Sequence, residues 1–148
     1  MNRTLLILAV ALLFVQPVSA VDAPRTTAAG VFTEDQARSG ERAYQAACSV
    51  CHGLDLRRVD AEAPDLIDGP FRYAWNGKDL TERFEKMRDT MPKASPRSLD
   101  EAAYLDIVAY LLQANGVPAG SETLTKEKLQ QTTVEIPAAA PGGSRRRR

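Results

Sequence analysis

Both cysteines and the only histidine of this 148-residue chain fall within five positions, in Ala47-Cys48-Ser49-Val50-Cys51-His52-Gly53. The spacing is C-x-x-C-H, and three chemistries compete for it. A dithiol redox pair would want a strand–helix–strand setting, and no window here alternates as a strand does. A structural disulfide suits an oxidising compartment but leaves the adjacent histidine unexplained. A zinc site wants four ligands, and Cys48, Cys51 and His52 exhaust the stock at three. Covalent haem attachment uses all three. Thiols one helical turn apart match the two vinyl groups on one porphyrin edge, and His52 turns under the ring to reach the iron.

One histidine rules out bis-histidine ligation within the chain. The sixth position falls to methionine, lysine, a weaker group or nothing. Met1 belongs to the leader, which leaves Met87 and Met91. Met87 shares a helical face with Leu80 and Phe84 and reads as core packing. Met91 stands in Asp89-Thr90-Met91-Pro92-Lys93, where Pro92 disfavours helix at the residue before it. Extended, stiffened backbone there would present the thioether, so Met91 is the expected second axial ligand. The plainer alternative is a methionine that only covers an open haem face. That five-coordinate haem would bind a gas or turn over peroxide.

The elements that must position these residues can be read around them. Residues 1–20 carry Arg3, an apolar run of about 11 residues from Leu5 to Val15 and a Val18-Ser19-Ala20 ending. That is short of the roughly 20 residues that span a bilayer, and it reads as a signal peptide cleaved after Ala20. The expected location is the periplasm, with no membrane span in the mature chain. Residues 21–31 read as a flexible lead-in. Thr33-Glu34-Asp35-Gln36 is a capping-box pattern opening a helix to Ala47, with Ala37, Gly40, Tyr44 and Ala47 inward. Residues 53–77 are expected to be loop with one short helical turn at most. Asp79 opens a second helix to Thr90. Ser98-Leu99-Asp100-Glu101 would open a third to Ala114, stopped by Asn115-Gly116 and Pro118. Residues 121–148 are expected to be a largely disordered tail with a short helical piece near Thr125–Gln131 and a polybasic end.

The result is an all-α fold of three to five short helices wrapped around one haem, over residues 32–120. Without Arg3 and the four terminal arginines, 14 of the 19 basic residues remain against 19 acidic ones. An acidic body argues against nucleic-acid binding. Arg145–Arg148 read either as simply solvated or as a tether to an anionic membrane or partner.

"TEDQARSGERAYQAACSVCHGLDL", "APDLIDGPF", "LTERFEKMRDTMP" and "YLDIVAYLLQANGVPAG" resemble class I c-type cytochromes. The branch they most resemble is the cytochrome c domain associated with quinoprotein (PQQ) alcohol dehydrogenases. The resemblance spans residues 32–120, and no dehydrogenase domain is expected within these 148 residues. It implies that Gly40 lets the C-terminal helix cross closely and that Tyr44 packs on that helix near Tyr104 and Tyr110. It implies that the Pro64 carbonyl accepts a hydrogen bond from His52 and that Leu66 covers the haem face. Trp75 stays open between packing on the haem, an indole bond to a propionate and plain core packing. Arg72 reads as solvated, with a propionate partner the alternative. The implied cofactor is one covalent haem c, and the implied function is electron transfer without catalysis. Partners would be a dehydrogenase donor and an oxidase or another cytochrome as acceptor. The chain would act as a carrier or as the haem subunit of a dehydrogenase complex.

Overall fold

The computed structural model describes residues 25–138, and the leader expected at residues 1–20 and the Arg145–Arg148 cluster lie outside them. Along the chain come β1 (Arg25–Thr26), a 3-10 turn (Thr27–Ala29), α1 (Glu34–Ala47), α2 (Ser49–His52) and α3 (Asp68–Trp75). They are followed by α4 (Leu80–Thr90), α5 (Glu101–Ala114), α6 (Lys126–Leu129) and β2 (Thr132–Thr133). The fold is all-α as expected. Among the described residues there are six α-helices, because α2 and α6 are single four-residue turns and α3 replaces expected loop.

Two helix starts are as the sequence expects. Thr33 Oγ1 accepts from the Gln36 amide at 3.1 Å, and Asp79 Oδ1 from the Glu82 amide at 3.0 Å. The third cap moves two residues, to Asp100, whose carboxylate accepts from the Ala103 amide at 2.6 Å. The helix begins at Glu101, and ahead of it Arg97, at φ 62°, donates its amide to the Arg88 carbonyl at 3.1 Å. In α3, Gly69 and Pro70 fall in the first turn, where proline displaces no intrahelical bond. Phe71 and Trp75, four residues apart, then bury one face.

The frame is the crossing of α1 and α5. A Cβ on Gly40 would lie 1.8 Å from the Asp106 carbonyl oxygen, so only glycine lets the backbones meet. Tyr44, one turn on, is fully buried and sets its ring 5.3 Å from that of Tyr110. Tyr104, Ile107, Val108, Leu111 and Leu112 line the inner face of α5 as expected.

The lead-in and tail differ from expectation. Arg25–Thr26 pair in parallel with Thr132–Thr133. Thr27 Oγ1 donates to the Glu135 carbonyl at 2.8 Å and accepts from the Glu135 amide at 2.9 Å. Gln36, buried in α1, makes a two-way bond with the Leu124 backbone at 2.8 and 2.9 Å. Leu124, Leu129, Val134 and Ile136 are all buried. Residues 121–138 therefore form a strap on the domain, and its edge does not fall at Gly120. The strap's buried apolar residues are spaced five, five and two apart, which sustains neither a helical nor a strand period, so composition alone reads the stretch as tail.

Two outcomes test this frame. Gly40→Ala should cost about 3 kcal/mol or more, since backbone must yield; an unchanged urea midpoint would contradict the crossing. Truncation after Gly120 should remove several kcal/mol, because each buried apolar side chain contributes roughly 1.5–3 kcal/mol. Thermal unfolding that is indifferent to the truncation would show the strap to be idle.

Candidate functional site

Cys48 closes α1 and opens α2. Its amide donates to the Tyr44 carbonyl at 2.8 Å, and its carbonyl accepts from the amides of Cys51 (3.2 Å) and His52 (3.0 Å). The motif is thus one helical turn, which brings positions i and i+3 to one side. Gly53 ends it at φ 74°, where a Cβ would meet the Arg57 carbonyl at 2.0 Å. The Tyr44 hydroxyl donates to the Gly53 carbonyl at 2.7 Å, pinning the turn to α1. Both cysteines are free thiols. Burial pushes the Cys48 thiol up to about 11, the reverse of what a reactive redox thiol needs.

His52 is buried, and its Nδ1 lies 2.9 Å from the Pro64 carbonyl oxygen. A carbonyl can only accept, so Nδ1 carries the proton and Nε2 keeps its lone pair for a metal. The loop that brings Pro64 here is itself tied down. The amides of Val59 and Asp60 donate to the Cys51 carbonyl at 3.0 and 3.1 Å, and the Leu66 amide donates to the Leu56 carbonyl at 2.8 Å. At its far end, Asn115 Nδ2 donates to the Leu66 carbonyl at 3.0 Å, and Asn115 Oδ1 accepts from the Asp68 amide at 3.0 Å.

Met91 sits where the sequence places it, in extended backbone at the C-cap of α4, with its amide on the Met87 carbonyl at 2.8 Å. The buried Tyr104 of α5 donates its hydroxyl to the Met91 carbonyl at 2.7 Å. Beyond Met91 the chain folds back on α4. Asp89 accepts from Arg88 at 2.8 Å and from Arg97 at 3.0 Å. The hydrogen bonds of Arg88 and then Arg97 hold its carboxyl well below the usual range, at about 2.

These pieces enclose a cavity of about 400 Å³. One stretch of its lining is Ala47, Cys48, Val50, Cys51 and His52, continued by Asp60, Glu62, Ala63, Pro64 and Leu66. The other is Met87, Met91, Pro92, Lys93 and Ala94. Lys93 and Glu62 join the two stretches by an exposed ion pair at 2.6 Å, which is worth little in energy. The donor set fits a haem: two thiols on one turn, an imidazole with a free Nε2, and methionine thioethers, in mainly apolar walls. Among the described residues, no three His, Cys, Asp or Glu side chains gather as a bare metal ion would require.

The cavity brings together Cys48, Cys51, His52, Pro64, Leu66 and Met91. It does not include Trp75, which instead stacks on Phe71 at 4.7 Å in the core. The two rings lie one helical turn apart on the face α3 turns inward. Arg72 is half-buried and lies outside the cavity. Its guanidinium donates to the Ile136 and Pro137 carbonyls at 2.7 and 2.6 Å, which ties the strap to α3. Met87 lines the cavity besides packing on the core, where core packing alone is expected. Sequence reasoning missed the polar roles of Tyr104 and Asn115. A phenol on an otherwise apolar helix face was the available signal, since a buried hydroxyl needs a partner.

The family model described as "Cytochrome C oxidase, cbb3-type, subunit III" matches residues 35–111, more than half of the chain. No curated protein and no solved structure matches it.

The fold-back beyond Met91 has a pH signature. Because Asp89 is held low in the folded state, its contribution is present above an unfolded value near 3.8 and is lost as pH falls through about 2. A carboxyl NMR titration should find its midpoint near 2, moving upward in Arg97→Ala. A midpoint near 3.8 in the parent protein would mean that the Arg88–Asp89–Arg97 cluster does not form.

Proposed function

The chain belongs to the cytochrome C oxidase, cbb3-type, subunit III family, a class I c-type cytochrome domain, and on that premise we propose an exported electron carrier with His52 and Met91 as axial ligands. Cytochrome c domains of this family hold haem c covalently and work by haem-based electron transfer, and Cys48 and Cys51 fit the attachment. When bound, the haem supplies the Fe(III)/Fe(II) couple. The observation that carries the ligation is the single cavity lined by His52, with Nδ1 committed to Pro64, and by Met91.

The chain's own residues then set the conditions. The Pro64 carbonyl fixes the His52 tautomer and raises the basicity of Nε2. The Met91 thioether favours the ferrous state and raises the potential. Apolar walls such as Leu66, Ala63 and Ala47 disfavour the extra positive charge of the ferric state.

Electrons would pass at the edge marked by Cys48 and Cys51. Val50, Leu54 and Val59 stand 78%, 70% and 69% exposed within eight residues of Cys51. Large apolar side chains left in water beside the cavity suit a small, transient docking contact. The periplasmic location rests on the leader pattern at residues 1–20, and no helix among the described residues is long and apolar enough to cross a membrane. A quinoprotein dehydrogenase as donor rests on the four resembling segments, with an oxidase or another cytochrome as acceptor. Service as a haem subunit within a dehydrogenase or oxidase complex uses the same site and differs by co-purification with a large partner.

The test is the absorption spectrum of the haem protein in both oxidation states. The ferric methionine-to-iron charge-transfer band should vanish completely in Met91→Ala, with a fall in reduction potential, and should persist in Met87→Leu. A high-spin parent spectrum that binds carbon monoxide readily and ignores Met91→Ala would overturn the carrier reading in favour of the five-coordinate one.

A further inference from the structure

We infer that α5 is the positioning element for both axial ligands, acting through Tyr104 on Met91 and through Asn115 on His52; this rests on the His52–Met91 reading. The two residues are eleven apart. At 3.6 residues per turn they share one face, three turns and about 16 Å apart. Every other residue on that strip, Val108 and Leu111 included, is buried and apolar. The only polar side chains on it are thus aimed at the two irregular segments that no regular backbone pairing supports.

Each makes a bond that fixes a main-chain oxygen. Tyr104 Oη donates to the Met91 carbonyl at 2.7 Å. That oxygen lies at the α4 C-cap, beyond the helical ladder, so the phenol supplies the partner that would otherwise be missing. Fixing the carbonyl fixes the residue's ψ and hence where the thioether enters the cavity. Asn115 reaches the other segment. Its Nδ2 donates to the Leu66 carbonyl at 3.0 Å and to the Leu111 carbonyl at 2.8 Å, and its Oδ1 accepts from the Asp68 amide at 3.0 Å. The side chain thereby clamps the stretch just after Pro64, whose carbonyl holds His52 Nδ1 at 2.9 Å. The opposite side of α5 is locked to α1 at Gly40, and α1 runs directly into Cys48. One rigid helix therefore references both ligand segments to the attachment turn.

Neither Tyr104 nor Asn115 lines the cavity. Both are positioning residues, and the experiment must read ligand hold rather than stability alone. Imidazole competes with methionine for ferric iron, so its titration of the holoprotein measures how firmly Met91 is held. Losing one buried hydrogen bond should tighten imidazole binding about three- to tenfold in Tyr104→Phe. Tyr110→Phe removes a phenol from the same helix, away from the Met91 segment, and should bind imidazole as the parent does. For the other end, hydrogen exchange of the His52 Nδ1 proton, followed by NMR, should quicken about three- to tenfold in Asn115→Ala, with imidazole affinity unchanged. Asn115→Asp keeps the acceptor and loses the donor, and serves if the alanine variant does not fold.

Parent-like imidazole affinity in Tyr104→Phe, or parent-like exchange in the Asn115 variants, overturns the inference even where the melting temperature drops. Met91→Ala keeps the failures apart. If it retains the charge-transfer band, the ligation reading falls and the Tyr104 role with it. If it loses the band while Tyr104→Phe leaves imidazole binding unmoved, only the positioning role falls.

Discussion

The contact between Gly40 and the Asp106 carbonyl is the constraint from which the rest of the molecule is measured. Two helices whose backbones touch have one relative position, not a range of them, because no side chain lies between to adjust. Tyr44 then fills the space beside the crossing, and its hydroxyl reaches the end of the haem-attachment turn. The distance from the helix crossing to the two thiols is thereby fixed by covalent geometry and one hydrogen bond. Larger residues at the crossing would leave the attachment turn on a frame free to tilt.

Around this frame the site is assembled mostly from backbone that is neither helix nor sheet. Such backbone carries carbonyls and amides that need partners once water is excluded. Here the partners are side chains at the ends of regular elements: Tyr104 and Asn115 of α5, and His52 at the end of α2. The same hydrogen bonds that satisfy the loops also set where His52 and Met91 stand. Polar satisfaction and site geometry are one problem with one solution, which is why the cavity can be mainly apolar and still well defined.

Much of this was legible in the residues. C-x-x-C-H names its chemistry because three scarce residue types coincide, and Met91 is marked by the proline that forces it out of a helix. The Thr33 and Asp79 caps and the apolar stripe of α5 follow local rules that tertiary structure had no reason to override. The illegible parts share a cause. The strap's four buried apolar residues follow neither a helical nor a strand period because they plug separate positions on a finished surface. Trp75 and Arg72 read as possible haem contacts, yet they face the core and the strap, because α3 exists as a helix with its own inward side. The polar bonds of Tyr104 and Asn115 depend on where distant loops come to rest, and nothing near them in the sequence encodes that.

The pairing of β1 with β2 has a mechanical consequence. The strands run parallel, and the chain enters at the start of one and leaves beyond the end of the other. Tension between the two ends therefore slides the strands past each other and does not peel them apart. The ladder and the paired Thr27–Glu135 bonds beside it are loaded together, in shear, and must fail together. Force applied across residues 25–138 therefore meets these strand and threonine bonds before it reaches the helices that line the cavity.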